Sequence, residues 1–339
     1  MTSHTVPPDS WARGAAFLGT RHPVLGGAMS WLSERHLVAA ISNAGGFGVL
    51  ATGSMPVELA REEVRATRAL TSQPFGINLI TMNPDLPAYV EMVIAERMTH
   101  CVLAGGIPRN DTIDALRSAG IRVILFAPSL ALARRLIQRG AEALIIEGHE
   151  AGGHVGPVST TVLAQEILPH VRGEVPVFVA GGIANAEMTA AMAGLGAAGV
   201  QVGTRFVCAA ECIAHDNFKQ CFIRAQSRDA QVTVQFDPAL PVIPVRALVN
   251  KGTERFNQLQ MALLQEVREG RKARADAQLD LERFWAGALR RAAIDGDVEH
   301  GSVMAGQSVG LVRSIQPAAE IIAELVAGVG SGYQMVCNA

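Results

Sequence analysis

The feature that most constrains the fold of this 339-residue chain is the regular alternation of short apolar runs with segments of helical periodicity. Such runs are typical of parallel strands that are buried on both faces of a sheet. Eight strands are predicted, at residues 23–28, 48–51, 75–80, 101–104, 122–126, 143–147, 177–180 and 199–202. Helices are predicted between them, at residues 34–44, 56–70, 86–97, 111–119, 130–139, 160–170 and 185–195. The count favours an α/β fold of the (β/α)8 TIM barrel class, and a doubly wound sheet with the same local alternation is the alternative.

The alternation stops after Arg205, and residues 212–300 form a charge-rich stretch of largely helical character. We therefore expect a barrel built from residues 1–211 and 301–339, with a mostly helical insert of residues 212–300 covering the barrel mouth. Acidic and basic residues alternate between Glu266 and Arg274, which is typical of a solvated helix face. The alternative for that segment is a docking patch for an acidic partner such as an acyl carrier protein.

Composition excludes several classes of protein. Hydrophobic residues make up 49% of the chain and charged residues 18%, which fits a compact enzyme and not a disordered chain. A formal net charge of −2 offers no footprint for nucleic acid. We expect neither a signal peptide nor a membrane span, because the first twenty residues lack an apolar core and no run of eighteen apolar residues occurs. The chain has five cysteines, Cys101, Cys208, Cys212, Cys221 and Cys337, and they include no Cys-x-x-Cys pair. Neither disulfides nor a zinc ribbon are therefore predicted, and a cytoplasmic location is expected.

Chemistry concentrates in residues 147–156, Glu-Gly-His-Glu-Ala-Gly-Gly-His-Val-Gly, directly after a predicted strand. Flexible loops at strand ends are where catalytic groups gather, so this segment is a candidate active site. His149-Glu150 followed by His154 is similar to a zinc protease pattern, but that pattern needs histidines four residues apart on a helix. The spacing here is five, and two glycines would break the helix, so no metal site is predicted. Both histidines could also be ordinary loop residues.

A second glycine pattern, Gly194-x-Gly196-x-x-Gly199, matches the dinucleotide-binding fingerprint letter for letter. That fingerprint must follow a strand and open a helix. These glycines instead end a predicted helix and lead into a predicted strand, so dinucleotide binding is not expected here.

Glycines also follow the last two predicted strands. The seventh ends in Ala180-Gly181-Gly182-Ile183, and the eighth ends in Gln201-Val202-Gly203-Thr204-Arg205-Phe206. In a (β/α)8 barrel these two loops commonly bind phosphate, since glycines expose backbone amides and helix N-termini favour an anion. The pair of loops therefore predicts a cofactor that carries phosphate.

The chain resembles the nitronate monooxygenase (2-nitropropane dioxygenase-like) flavoprotein family, which includes the FMN-dependent enoyl-acyl-carrier-protein reductases. The resemblance rests on Glu-Ala-Gly-Gly-His-Val-Gly at residues 150–156 and on motifs at residues 27–31, 43–48, 74–78, 180–183, 203–206 and 301–307. It departs from the frequent Gln-Gly-Gly-Met motif, because Gly26 and Ala28 replace the Gln and the second Gly. This makes any cofactor contact from residue 26 doubtful.

The resemblance implies FMN as the cofactor, with Met29 and Asn78 toward the flavin and Gly182, Gly203 and Thr204 toward its phosphate. The complete set of cofactor-binding residues that it implies is Gly27, Ala28, Met29, Asn78, Glu147, Gly153, Ala180, Gly181, Gly182, Gln201, Gly203, Thr204, Met304, Gly306 and Gln307.

His154 is the catalytic candidate, because histidine titrates near neutral pH and serves as acid, base or cationic partner. Our first expectation is oxidation of an alkyl nitronate with dioxygen. The alternative is an NAD(P)H-dependent enoyl-thioester reductase, which residues 295–310 and the helical insert resemble. A flavin-binding protein without turnover is the second alternative. The expected partner is a small-molecule substrate, with NAD(P)H, an acyl carrier protein and a homodimer as further options.

Overall fold

The computed structural model of the protein describes residues 10–329. Its strands are β1 Val24–Gly26, β2 Phe47–Ala51, β3 Gly76–Ile80, β4 His100–Ala104, β5 Arg122–Phe126, β6 Ala143–Glu147, β7 Gly153–His154, β8 Val177–Ala180, β9 Gly199–Val202, β10 Ala230–Val232, β11 Val245–Leu248 and β12 Val303–Met304. Its α-helices are α1 Ser10–Leu18, α2 Arg35–Asn43, α3 Val57–Leu70, α4 Leu86–Ala95, α5 Asn110–Ser118, α6 Leu130–Gln138, α7 Thr160–Val171, α8 Ala186–Gly194, α9 Thr204–Val207, α10 Asp216–Arg224, α11 Lys251–Arg268, α12 Arg274–Ala293 and α13 Ala318–Val326. Two 3₁₀ helices cover Ser227–Asp229 and Gln307–Leu311.

Eight parallel strands close into a barrel in the order β1-β2-β3-β4-β5-β6-β8-β9. Closure occurs where Leu25 of β1 pairs with Phe47 of β2 on one side and with Gln201 of β9 on the other. The predicted TIM barrel is therefore confirmed, and the open doubly wound sheet is wrong. Each of the eight strands lies where the apolar runs predicted it, because runs buried on both faces carry an unambiguous signal.

Side chains of the barrel strands alternate between the lumen and the surrounding helices, as the pleat of a strand requires. Lumen-facing residues form one buried cluster: Leu25, Phe47, Val49, Val102, Ile124, Ala143, Ile145, Phe178 and Ala180. Their neighbours along the strands pack outward against the helices. Both layers are apolar, so burial of each large side chain contributes about 1.5–3 kcal/mol to folding.

Helix α1 closes the amino end of the barrel. Phe17 and Leu18 join the lumen cluster, and the Phe17 ring lies edge-on to His100 at a centroid distance of 5.3 Å. Gly14 brings the helix against β9, since a Cβ there would overlap the carbonyl group of Ala198. The sequence did not predict α1, because the barrel alternation begins only after it.

A four-stranded antiparallel sheet lies outside the barrel, with β10, β11 and β12 in order and β7 paired to β11. Since β7 belongs to the loop after β6, this sheet lies at the carboxyl end of the barrel. Residues 212–300 contain helices α10, α11 and α12, and they also contain β10 and β11, which the sequence analysis did not predict. Strands of three and four residues are too short for a periodic signal.

Two further sequence expectations can be compared with the structure. Gly194 ends helix α8 and Gly199 begins strand β9, which confirms that the fingerprint-like pattern lies in the reverse context. Among the described residues, no helix is both long and apolar enough to cross a membrane. Four cysteines are present there as free thiols, and Cys337 lies outside the described residues.

Candidate active site

Three polar side chains stand at the carboxyl end of an otherwise apolar lumen. Glu147 lies two positions after the lumen residue Ile145, so its side chain is on the lumen face of β6. Strand pairing places Asn78 of β3 and Gln201 of β9 on the lumen face as well. Strand pairing sets Glu147 beside Ala180 and Ala180 beside Gln201. The structure thus brings together four of the residues that the resemblance named.

Asn78 is fixed within the barrel wall. Its Nδ2 donates a 3.1 Å hydrogen bond to the carbonyl of Val102, and its own carbonyl accepts one of 2.6 Å from the Thr52 hydroxyl. The Oδ1 atom is left for a further donor. By contrast, neither Glu147 nor Gln201 makes a side-chain hydrogen bond with the described residues. Burial raises the pKa of Glu147 to about 7, and the nearby His154 opposes that shift.

Gly181 and Gly182 form the turn after β8 in the left-handed region, with φ values of +94° and +73°. Only glycine adopts such angles without strain, and a Cβ on Gly182 would lie 3.2 Å from Cβ of Glu150. The Thr160 hydroxyl donates to the carboxylate of Glu150 at 2.9 Å and also contacts the Gly181 carbonyl at 3.0 Å. These bonds tie the turn after β8 to the loop after β6.

The turn after β9 leads directly into the short helix α9, which begins at Thr204. Gly203 lies next to the loop after β1, because a Cβ on Gly203 would be 3.6 Å from the sulfur of Met29. That loop is held by Ser33, whose hydroxyl donates to the Gly27 carbonyl at 2.8 Å and accepts from the Met29 amide at 2.9 Å. No sequence pattern distinguished Ser33 as a residue of the site.

Residue 26 has no role in this cluster. A Cβ on Gly26 would lie 2.5 Å from the side chain of Ile41, so this position faces helix α2 and not the lumen. The doubt about a cofactor contact from residue 26 is therefore justified. Gly27 instead lies beside the Gln201 side chain, and Ala28 packs against the lumen cluster.

The segment after β12 completes the cluster. The Gly306 amide donates to the Thr204 hydroxyl at 3.1 Å, and the Gln307 amide donates to the Glu150 carbonyl at 2.9 Å. Met304 lies beside Gly153, whose Cβ would be 3.7 Å from the methionine sulfur. The residues of the predicted cofactor set thus lie in the barrel strands, in the segments that follow them, and in β7 and the segment from β12 to the 3₁₀ helix at Gln307.

His154 is in β7, paired with Val245 of β11. Its Nε2 lies 3.0 Å from Oε2 of Glu282 on helix α12, and the two side chains are 48% and 36% exposed. With a carboxylate as its partner, Nε2 carries the proton and donates. The described residues provide no hydrogen bond to the other ring nitrogen, Nδ1. The second histidine differs: His149 makes a 2.7 Å hydrogen bond through Nδ1 to the Gly156 carbonyl, so it shapes the loop.

Sequence reasoning missed two residues that hold this loop. Arg246 is buried and donates to the carbonyl of His149 at 3.0 Å and to that of Ala230 at 2.6 Å. The apolar alternation of Val245 and Ala247 around it was a weak strand signal. Glu282 was one of many charged residues in a helical segment, and nothing in its local sequence distinguished it.

A closed barrel with glycine turns after its last two strands and a carboxylate-paired histidine at its mouth is the architecture of a TIM barrel enzyme. The chain matches the nitronate monooxygenase family over residues 13–89 and 87–328. The chain belongs to that family, and it is an oxidoreductase of a flavin-dependent type.

Individual relatives cover nearly the whole chain. A Mycobacterium tuberculosis protein named (3aS,4S,5R,7aS)-5-hydroxy-7a-methyl-1-oxo-octahydro-1H-indene-4-carboxyl-CoA dehydrogenase is 31% identical, over 91% of this chain and 93% of its own length. A nitronate monooxygenase of Paraburkholderia phytofirmans is 29% identical, with 91% and 92% covered. The structure of FabK from Thermotoga maritima is 35% identical and superposes with a TM-score of 0.82, over 93% of this chain and 95% of that one.

Proposed function

We propose that this enzyme binds FMN at the carboxyl end of the barrel. In this proposal the amides of Gly181, Gly182 and Gly203 and the hydroxyl of Thr204 hold the phosphate, which suits an anion-binding turn beside a helix start. The Oδ1 atom of Asn78 and the side chains of Glu147 and Gln201 have no hydrogen-bond partner among the described residues. Such groups at the top of an apolar lumen fit a polar heterocycle, so all three residues are assigned to the flavin ring and ribityl chain. Met29 and the remaining residues form the walls: Gly27, Ala28, Gly153, Ala180, Met304, Gly306 and Gln307.

We further propose that the substrate is an unsaturated acyl thioester, reduced with electrons from NAD(P)H. FMN, when bound, supplies the hydride chemistry. His154 then delivers one proton to the substrate carbon next to the thioester carbonyl, and Glu282 holds its ring and offsets the charge of its cationic form. The insert of residues 212–300 covers the mouth and limits the access of water.

The observation that carries this choice is the pairing of His154 with Glu282. A histidine hydrogen-bonded to a carboxylate is well suited to proton transfer, since one nitrogen is oriented while the other faces the reaction. The same carboxylate opposes the approach of an anion such as a nitronate. The dehydrogenase of Mycobacterium tuberculosis is named for a CoA thioester, which also supports this substrate class.

Nitronate oxidation with dioxygen is the second candidate. It is supported by the family to which the chain belongs and by the Paraburkholderia phytofirmans relative. In that reaction a cationic His154 would bind the anionic substrate, and Glu282 would hold the ring in place through its hydrogen bond to Nε2.

The test uses the flavin-loaded protein under anaerobic conditions. NADH or NADPH is expected to bleach the flavin absorbance, and an enoyl-CoA such as crotonyl-CoA is expected to restore it and yield the saturated thioester, identified by mass spectrometry. Bleaching by ethyl nitronate, with neither pyridine nucleotide active, would overturn the thioester proposal in favour of the second candidate. A flavin that no donor bleaches would instead indicate a binding protein without turnover.

A further inference from the structure

Trp31 connects the loop after β1 to helix α12. Its Nε1 donates a 3.2 Å hydrogen bond to the carbonyl of Ala286, and the guanidinium carbon of Arg290 lies 5.7 Å from the indole ring centroid. That distance is within the range of cation–π attraction. Ala286 and Arg290 are one helical turn apart, so a single face of α12 makes both contacts.

Glu282 lies on the same face, one turn before Ala286. Residues 282, 286 and 290 therefore form a stripe about 12 Å long, which follows from a rise of 1.5 Å per residue. One end of the stripe meets His154, in the loop after β6, and the other end meets Trp31, in the loop after β1. Helix α12 thus links two loops that leave the barrel from different, non-adjacent strands.

The backbone of Trp31 is held in an uncommon conformation. Its φ is +69°, and among the described residues Arg97 is the only other non-glycine residue with a positive φ. A bulky side chain stays in this region only where the surroundings hold it. Here Leu32 and Ser33 both donate backbone hydrogen bonds to the Met29 carbonyl, which fixes the turn.

The part of α12 around Glu282 makes few contacts with the barrel. Trp285 and Leu281 pack in the apolar cluster of the insert, with the Trp285 ring 4.1 Å from that of Phe256. Only the end of the helix, with Leu289 and Ala292, packs in the main barrel core. Trp31 contacts the helix at Ala286 and Arg290, between the part that packs in the insert and the part that packs in the barrel core.

We propose that Trp31 is a positioning residue: its contacts with Ala286 and Arg290 hold α12 so that Glu282 meets His154. The inference rests on the proposed acid–base role of His154. Trp31 connects the loop that carries Met29, on the flavin side, to the pair of His154 and Glu282. One side chain would therefore determine the position of this pair relative to the flavin.

The first test observes the His154 ring without turnover. In protein labelled with ¹⁵N-histidine, the ring signal of His154 is identified by its loss in His154→Gln. The carboxylate of Glu282 should keep the neutral His154 ring in its Nε2–H tautomer. Trp31→Ala is expected to shift the signal toward an average of both tautomers, as Glu282→Ala does. Trp11→Ala, which removes a half-buried tryptophan from α1 at the opposite end of the barrel, should leave it unchanged. An unchanged tautomer in folded Trp31→Ala protein would overturn the proposal.

A double-mutant cycle then tests the route of the effect. Trp31→Ala and Glu282→Ala should each lower kcat by about 10- to 100-fold through misplacement of the acid, with a smaller change in KM. The combined variant should lose no more than Glu282→Ala alone, since residues that act through one contact are not additive. Trp31→Phe keeps the aromatic face for Arg290 and should fall between the wild type and Trp31→Ala. Fully additive losses would contradict the proposal.

Two controls distinguish a failure of the positioning proposal from a variant that does not fold and from a wrong acid–base assignment. Flavin content and the thermal midpoint show whether Trp31→Ala is folded. If that variant does not fold, Arg290→Met replaces it, because it weakens the same contact from the helix side. Normal turnover of both Glu282→Ala and His154→Ala would reject the proposed acid–base role. A tautomer that still responds to Trp31→Ala in that case would support the coupling on its own.

Discussion

The amide of Gly306 donates a hydrogen bond to the hydroxyl of Thr204 over a separation of 102 residues. Residues 212–300 all lie between these two residues in the sequence, and the hydrogen bond joins the segments that flank them at the proposed phosphate site. The adjacent Gln307 amide bonds the Glu150 carbonyl, which adds the loop after β6 to the same unit. The proposed phosphate site, the histidine loop and the segment that follows β12 are therefore structurally connected.

Thr204→Val tests this connection. The substitution keeps the shape of the side chain but removes the acceptor of the Gly306 amide and the donor proposed for the phosphate. We expect FMN affinity to fall by about tenfold, the equivalent of about 1.4 kcal/mol for the lost hydrogen bonding. Fluorescence titration of flavin-free protein measures it. Thr204→Ser retains the hydroxyl and should bind within a small factor of wild type; equal losses in both variants would exclude the hydroxyl as the cause.

Gly182→Leu addresses the other phosphate turn. The φ of +73° disfavours any side chain, and a Cβ would already lie 3.2 Å from Glu150. A bulky residue should therefore displace the turn and keep its amide away from the phosphate. FMN occupancy should fall by about tenfold or more, measured as the ratio of flavin to protein absorbance.

Gly194→Leu is the matched control for that experiment. Gly194 has open space around its Cβ position, so FMN binding should be retained. Gly196, the next glycine of the same pattern, is unsuitable as a control, since its φ is +97° and a Cβ there would lie 2.6 Å from the Arg172 side chain. Flavin loss in folded Gly194→Leu equal to that in Gly182→Leu would mean that the phosphate turn is misassigned.

Glu147 should make the flavin-free protein less stable as the pH rises. Burial raises its pKa from 4.5 in the unfolded chain to about 7 in the fold. Between these values the folded state binds more protons than the unfolded state, so the free energy of unfolding falls from pH 4.5 to pH 7 and then stays level. Glu147→Gln removes this penalty and should stabilise the protein at pH 8 by at most about 3 kcal/mol, with no gain at pH 4.

Urea unfolding across this pH range measures the effect. Glu187→Gln, on the exposed face of α8, is the control and should follow the wild type at every pH. A Glu147→Gln gain that is the same at pH 4 and pH 8 would mean that the carboxylate charge is not responsible.

The barrel could be predicted from sequence because each of its strands is buried on both faces and therefore uniformly apolar. The small sheet could not, since β7 and β12 contain two residues each and their pairing with β11 joins segments far apart in the chain. The glycine segments at Gly182 and Gly203 could be placed directly after β8 and β9, because both strands are recognisable in the sequence. The contact of Glu282 with His154 could not be predicted, because it joins helix α12 to a loop 128 residues away in the chain.

The strongest prediction concerns His154→Ala. The substitution should leave FMN bound, since the glycines and Thr204 of the proposed phosphate site follow other strands, β8 and β9. Turnover should fall by about 10²–10⁴-fold if the imidazole is a general acid or base. In enoyl reduction the loss should appear in the proton-dependent half-reaction, with flavin reduction by NAD(P)H nearly intact, whereas for a nitronate it should appear mainly as weaker substrate binding. Stopped-flow absorbance at the flavin band separates the half-reactions.

The control for this variant follows from the second histidine of the same loop. His149 donates through Nδ1 to the Gly156 carbonyl, so His149→Ala would disturb the loop that carries His154. His149→Asn places an amide N–H near the same position and should keep both the loop and the activity. If His149→Asn abolishes turnover while His154→Ala reacts normally with every substrate, the catalytic assignment belongs to His149, and the contact between His154 and Glu282 only anchors helix α12.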